Sequence, residues 1–314
     1  MNTIMMLLIT FPLVFFLSLL FEGVDRKIHA RMQKRIGPPI IQPFYDFIKL
    51  FSKERIVPVT ASSRIFTAVP MIAAAASIVG AAIPIASLIL EIGIGGDLIL
   101  ILYLLTMSSV MVMIGGSSSG NPYGAVGFSR KMTMLIAYDV PMLISILSVS
   151  FNCLSLAYYN IVSTQVGMKS LLAFARPSMA VAAATFLLCI PAAADAVPFD
   201  ISEAKTEIIH GSMVEYGGPY LALVKLAKAA SNFGLTFLAT TLFFYFPALL
   251  EGYASVGLGA LCLCLVPALI LLLLTITVPR TVFARLKIGQ AFKFYWLSPL
   301  ALSIISVALS TLGF

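Results

Sequence analysis

Apolar residues run through this chain in long stretches, and polar residues arrive in short bursts between them. Eight stretches come close to the roughly 20 residues an α-helix needs to cross bilayer hydrocarbon. They are Thr3–Phe21, Ile65–Leu90, Leu98–Ile114, Met132–Val149, Met179–Ala196, Pro219–Phe246, Val256–Val278 and Phe294–Leu312. The pattern predicts an all-α polytopic membrane protein, a single transmembrane domain over residues 1–314, with inner loops at 22–64, 115–131, 197–218 and 279–293. Gly115–Gly120 reads as part of an inner loop. The first loop is broken at Gly37-Pro38-Pro39, because proline lacks the amide donor and restrains its predecessor. Beyond the break, Phe44, Phe47, Ile48 and Phe51 recur at helical spacing, which predicts a short amphipathic helix in the interface plane. Periodicity alone favours a lipid anchor there over a docking element.

Basic residues set the orientation. The first loop carries nine: Arg26, Lys27, Arg31, Lys34, Arg35, Lys49, Lys53, Arg55 and Arg64. Assigning alternate loops to opposite sides puts eighteen of the twenty Lys and Arg on one side and only Lys169 and Arg176 on the other. The positive-inside rule then places both termini outside a cell membrane and the 197–218 loop on the cytoplasmic side. No Lys or Arg precedes Arg26, so the first run reads as a retained helix rather than a cleaved leader.

Composition agrees. The chain is 60% hydrophobic and 11% charged, with mean hydropathy +1.04, where soluble domains carry about a quarter charged residues. The net charge of +7 does not point to nucleic acid, since the basic residues lie in loops between apolar runs and not on an aromatic-laced solvated face.

Acid is concentrated in one place. Five of the thirteen carboxylates, Asp195, Asp200, Glu203, Glu207 and Glu215, fall within a short hairpin between two apolar runs. Charge at a membrane boundary is costly and marks function by default. Asp200 and Glu203 have the spacing of a capping box, which predicts a helix with Glu203 and Glu207 on one face and Lys205 pointing away. Like charges so placed favour proton uptake by one of them. A solvated capped helix explains Asp200 and Glu203 equally well, but it leaves Glu215 and the one-turn pair Lys225 and Lys228 in the next span unexplained. Asp139, beside Tyr138 in the fourth span, is either interhelical glue or part of an ion path; glue is more often Ser, Thr or Asn. Cys153, Cys189, Cys262 and Cys264 form no metal-ligand spacing and read as packing residues. His29 and His210 lie outside the spans, against a haem held between helices. No phosphate-binding glycine loop is present. The chain alone is expected to catalyse nothing and to hold no cofactor or metal.

Several stretches carry a resemblance. Asp25-Arg26-Lys27, Gln33-Lys34-Arg35-Ile36-Gly37-Pro38 and Gln42-Pro43 resemble the first inner loop of the respiratory complex I membrane-arm subunit 1 family. Pro198-Phe199-Asp200, Glu203, Glu207 and Glu215-Tyr216-Gly217 resemble its second signature, Tyr138-Asp139 its membrane acid, and Pro279-Arg280, Arg285, Gln290 and Trp296 its last inner loop. Only Pro39, Ile40 and Ile41 separate Gly37-Pro38 from Gln42-Pro43. That shortened form is similar to the homologous subunit of group 4 membrane-bound nickel–iron hydrogenases and of the archaeal sulfane sulfur reductase. Lys205 and Lys228 stand where the family commonly has glutamate, which implies a rerouted path or lysine–glutamate pairs.

The resemblance implies a non-redox membrane anchor in a ferredoxin-driven respiratory complex. A peripheral arm of iron–sulfur and hydrogenase-like large subunits, with iron–sulfur clusters and a nickel–iron centre held by the partners, would dock on Asp25, Arg26, Lys27, Arg31, Gln33, Arg35, Gly37, Pro38, Arg280 and Arg285. Asp139, Asp195, Asp200, Glu203, Glu207, Glu215, Lys205, Lys225 and Lys228 would couple electron transfer to antiporter-like membrane subunits that move protons or sodium. A quinone-binding subunit of an NADH or reduced-deazaflavin dehydrogenase is the alternative. A secondary transporter is a second alternative, though the repeated halves common among transporters are not found.

Overall fold

The computed structural model describes residues 3–91, 93, 95–245 and 258–313. Among these the secondary structure is entirely helical: α1 Thr3–Met32, α2 Gln42–Phe51, α3 Ser63–Leu90, α4 Asp97–Ser118, α5 Pro122–Cys153, α6 Tyr158–Met168, α7 Leu172–Ala175, α8 Pro177–Ala193, α9 Lys205–Ile208, α10 Gly218–Phe243, α11 Leu258–Leu272, α12 Val278–Val282 and α13 Ile288–Thr311. A 3-10 turn at Gly211–Met213 precedes α10, and a π segment, Leu273–Thr277, joins α11 to α12. Six described helical stretches are long and apolar enough to cross a membrane, and Pro177–Ala193 is a shorter apolar one. Together with the 30-residue α1 they occupy the eight expected places. The loop between the sixth and seventh expected spans, with their ends at Phe246 and Val256, lies outside the described residues.

Helix α10 organises the bundle. It is buried along most of its length and packs against α1, α3, α4, α8 and α11. Helices α5, α8 and α13 form a second group joined to the first through α4 and α10. One continuous apolar core runs through both, from Val14 and Phe21 in α1 to Ala291 and Tyr295 in α13.

Helix α2 forms as the aromatic spacing predicts. Its Phe44 and Phe47 pack on Phe15 of α1 with ring centroids 6.5 and 5.3 Å away. Arg26 of α1 clamps it from the other side, bonding Asp46 at 2.8 Å and also pairing with Glu22. Its remaining face, with Tyr45, Ile48 and Phe51, is exposed.

Several boundaries differ from expectation. Helix α1 runs on to Met32, so Asp25–Arg31 is helical rather than loop. Helix α4 continues through Gly115 and Gly116 to Ser118. These glycines make room: a Cβ on Gly116 would lie 2.6 Å from Ser212, and one on Gly127 of α5 would lie 2.5 Å from the Ser212 amide. The Gly/Ser tract is thus a helix surface against which the 211–216 segment packs. The connection 150–178 folds into α6 and α7. Asp97, heading α4, accepts the Tyr158 amide at the α6 N-terminus at 2.6 Å. Gln165 of α6 donates to the Thr241 and Leu242 carbonyls at 2.8 and 3.1 Å, satisfying the α10 C-terminus.

Candidate charged cavity and membrane acid

The largest difference lies in the acidic hairpin. Asp200–Glu203 does not start a helix; these residues are irregular, and α9 is a single turn beginning at Lys205. Burial explains this: Phe199, Ile201 and Ala204 are drawn into the protein, and the chain turns at Ser202 and Glu203 where a capping box would wind it into a helix. Gly211, with φ +54, lets the chain return, and a Cβ there would collide with the Ser202 carbonyl. Glu203 and Glu207 therefore part company. Glu207 is 58% exposed and pairs with Arg130 on the surface, whereas Glu203 turns inward to Lys228 of α10 at 2.9 Å.

This inward turn builds a cavity of about 760 Å³ between α1, α10, the 194–204 segment, the 209–216 segment and the α11–α12 junction. Its wall holds five carboxylates, Glu22, Asp25, Asp195, Asp200 and Glu203, and five cations, Arg26, Lys225, Lys228, Arg280 and Arg285. The charges are paired across elements. Arg285 meets Asp200 at 2.9 Å and Arg280 meets Asp25 at 3.4 Å. Thr277, in the π segment, donates to Asp25. Lys131 of α5 meets Asp195 at 2.6 Å, with Lys131 only 4% exposed. Pairing matters because a lone buried charge is strongly destabilising, whereas a paired one is tolerated.

Pairing alone does not set protonation. Asp200 is pushed up to about 6 by burial and by Glu203, against the pull of Lys228 and Arg285. Asp195 is held by Lys131 at 2.6 Å and accepts from the Ser202 hydroxyl at 3.4 Å. Among the described residues, Asp200 Oδ1, Glu203 Oε1 and Asn232 Oδ1 are buried with no hydrogen-bond partner. These are acceptor positions aligned on one cavity.

The other expected residues are dispersed. Asp139 is half-buried in mid-α5 with Oδ1 unbonded and does not line the cavity. Glu215 accepts from Asn121, the α5 N-cap, at 2.6 Å. Lys225 lines the cavity; the Lys205 side chain lies outside the described residues. Of the residues expected at a docking face, Arg31, Gln33, Arg35, Arg280 and Arg285 are exposed and Lys27 is half-buried. Asp25, at 7% exposure, is a cavity residue and not part of that face. Arg26 holds α2, and Gly37, followed by Pro38, tucks against Ala30, where a Cβ would lie 2.9 Å away. Lys131, Asn232 and Thr277 are site residues the sequence reading missed. For Lys131 a signal exists, since Gly124, Gly127, Lys131, Met134, Tyr138 and Pro141 share one buried face of α5.

Compared with known proteins, residues 4–311 match the family model described as NADH dehydrogenase. The chain belongs to the NADH dehydrogenase family. The resemblance read from the loops is borne out, and the protein is a multi-pass membrane subunit of the complex I-like class. A family relative, NADH-quinone oxidoreductase subunit 8 of Rhodothermus marinus, is 30% identical over 309 residues, covering 92% of this chain and 90% of the relative. Hydrogenase-4 component C of Escherichia coli is 32% identical over 232 residues, 73% of this chain and 72% of the relative. Among solved structures, a chain of an archaeal membrane-bound sulfane sulfur reductase, a respiratory membrane complex, superposes with TM-score 0.87 at 29% identity, covering 99% of this chain and 100% of that one.

Proposed function

We propose that the chain is the membrane anchor and coupling subunit of a ferredoxin-dependent complex of the membrane-bound hydrogenase or sulfane sulfur reductase type. It docks an iron–sulfur peripheral arm on its inner loops and links electron transfer there to proton or sodium movement by antiporter-like subunits. The observation that carries this reading is the cavity: ten formally charged residues of both signs line one space beneath the inner loops. Arg285 and Arg280 tie the exposed 280–285 stretch to Asp200 and Asp25 on the cavity wall. A charge arriving in an arm seated on that stretch is therefore felt at Asp200, which sits near its titration point. The disturbance passes through Glu203 and Lys228 to Asp195. Its scale is adequate, because moving one charge against 100 mV takes about 2.3 kcal/mol and a change of two pKa units supplies about 2.7 kcal/mol.

The second reading, a quinone-binding subunit, is favoured by the names of several relatives. Ligand pockets for such apolar molecules carry only a few polar groups, whereas this wall, though it has apolar stretches, holds ten charged residues. The end-to-end match in length to the sulfane sulfur reductase chain also supports the first reading. The test is to purify the complex and drive it with reduced ferredoxin, or with NADH and a soluble quinone. Ferredoxin-driven turnover that quinone-site inhibitors do not slow is the expected result; NADH-driven quinone reduction that they block would overturn the proposal.

A further inference from the structure

A ladder of aromatic rings leads from α1 along α2. Phe16 meets Phe44 at 5.9 Å, Phe44 and Phe47 pack on Phe15, and Phe47 stacks on Phe51 at 5.6 Å. Phe16 and Leu20 are exposed, so the ladder starts on a face of α1 that meets lipid. Phe16 precedes Arg26 by ten residues, which sets it about 15 Å deeper along the helix axis. Arg26 grips the same short helix through Asp46 at 2.8 Å. Helix α2 therefore lies alongside α1 between these two levels, at the height of the bilayer boundary. Its inner side, with Pro43 and Leu50, closes on Ala222 and Leu226 of α10. Ile41, Tyr45, Ile48, Lys49 and Ser52 are exposed and share one strip of the helix at helical spacing.

The charge on this element is one-sided. Lys49 in the last turn, and Lys53 and Arg55 just beyond it, are exposed. Among the described residues none of the three forms an ion pair. Between Asp46, which Arg26 occupies, and Arg64 the only acid is Glu54. We propose that α2 and the turn after it bind anionic phospholipid in the leaflet beside the basic loops. Tyr45, Ile48 and Phe51 lie among the upper acyl chains, while Lys49, Lys53 and Arg55 extend along that apolar surface to the phosphates. Anionic lipid is the occupant because a zwitterionic headgroup carries its own cation beside the phosphate and leaves three unpaired cations with little net attraction. Each such residue at an anionic surface is worth about fivefold in affinity. A peripheral subunit would need this strip to look away from the bilayer, and the ring ladder ties it to the level of Phe16 and Leu20. The surface adds a ligand to the chain that the coupling function does not require.

The test uses the whole complex in mixed micelles, with a bimane fluorophore on Ser52→Cys and the exposed native thiol removed by Cys262→Ser. Phosphatidylglycerol and phosphatidylcholine, each carrying a nitroxide on the upper acyl chain, serve as quenchers. Phosphatidylglycerol is expected to quench at about a hundredfold lower mole fraction than phosphatidylcholine, the product of three such contributions. High salt should shrink that preference, and Lys49→Gln/Lys53→Gln/Arg55→Gln should erase it. Equal quenching by the two lipids would overturn the proposal and leave α2 a nonspecific apolar anchor. Quenching by neither would overturn it in favour of a protein subunit covering the strip, and a preference that survives the triple substitution would overturn the role of these cations. Should the triple variant fail to assemble, the single substitutions decide: a loss of about fivefold in preference for each supports the surface, and an unchanged preference in all three overturns it. None of these results alters the coupling function, which is read from ions moved per electron.

Discussion

Asp200 offers the sharpest handle on the cavity. Its carboxyl is pushed up to about 6 from an ordinary 3.8 by burial first and by Glu203 second, with Lys228 and Arg285 pulling the other way and Asp195 adding to the push. The difference makes ionisation in the folded protein costlier by about 3 kcal/mol than in the unfolded chain. The folded state therefore holds the proton more tightly. The stabilisation this gives is complete below the unfolded value of 3.8, falls as pH rises, and is gone above about 6. At pH 7 about one Asp200 in ten remains protonated, and at pH 5 about nine in ten are. Infrared difference spectra of the complex labelled with carbon-13 aspartate, recorded across this range, should show a protonated-carboxyl band with a midpoint near pH 6 that is missing in Asp200→Asn. Thermal stability of the variant should depend less on pH between about 4 and 6 than that of the wild type. A midpoint at the ordinary aspartate value, or a band that survives in Asp200→Asn, would refute the argument that burial beside Glu203 governs this group.

Other consequences follow from the same geometry. Glu203→Gln leaves Lys228 without its partner and should cost about 3 kcal/mol, read as a lower melting temperature in detergent; adding Lys228→Met should recover most of it. Gly211→Ala meets both a left-handed backbone and the Ser202 carbonyl, so the 200–215 segment should be cleaved by limited proteolysis far faster than in wild type. Arg26→Leu removes the clamp on α2, a change of about 1 kcal/mol at a half-exposed pair, and hydrogen exchange in residues 42–51 should quicken while α10 is unaffected.

The spans were legible because each is a long apolar run, and helix formation follows from the need to satisfy backbone groups in lipid. Helix α2 was legible from the spacing of Phe44, Phe47, Ile48 and Phe51. The cavity was legible only as a list of acids. Local spacing put Glu203 beside Glu207, but burial of Phe199, Ile201 and Ala204 unwound that stretch, and the true partner, Lys228, came from another helix. Asp25 was read as loop because apolar sequence ends at Phe21; the helix in fact continues for three turns, carrying Asp25 into the wall beside Thr277. Lys131 was hidden by the positive-inside rule, which counts Arg130 and Lys131 together as inner-loop charge. Their helical phase separates them: Arg130 faces Glu207 outside and Lys131 faces Asp195 within.

The central claim is that charge introduced at the inner face reaches a membrane acid through this chain. Ions moved per electron by the reconstituted complex, compared between Asp139→Asn and Glu207→Gln, test it most directly. The account predicts a fall of about tenfold for Asp139→Asn and a ratio near wild type for Glu207→Gln, whose carboxylate lies on the surface. An Asp139→Asn complex that moves as many ions per electron as the wild type would contradict it.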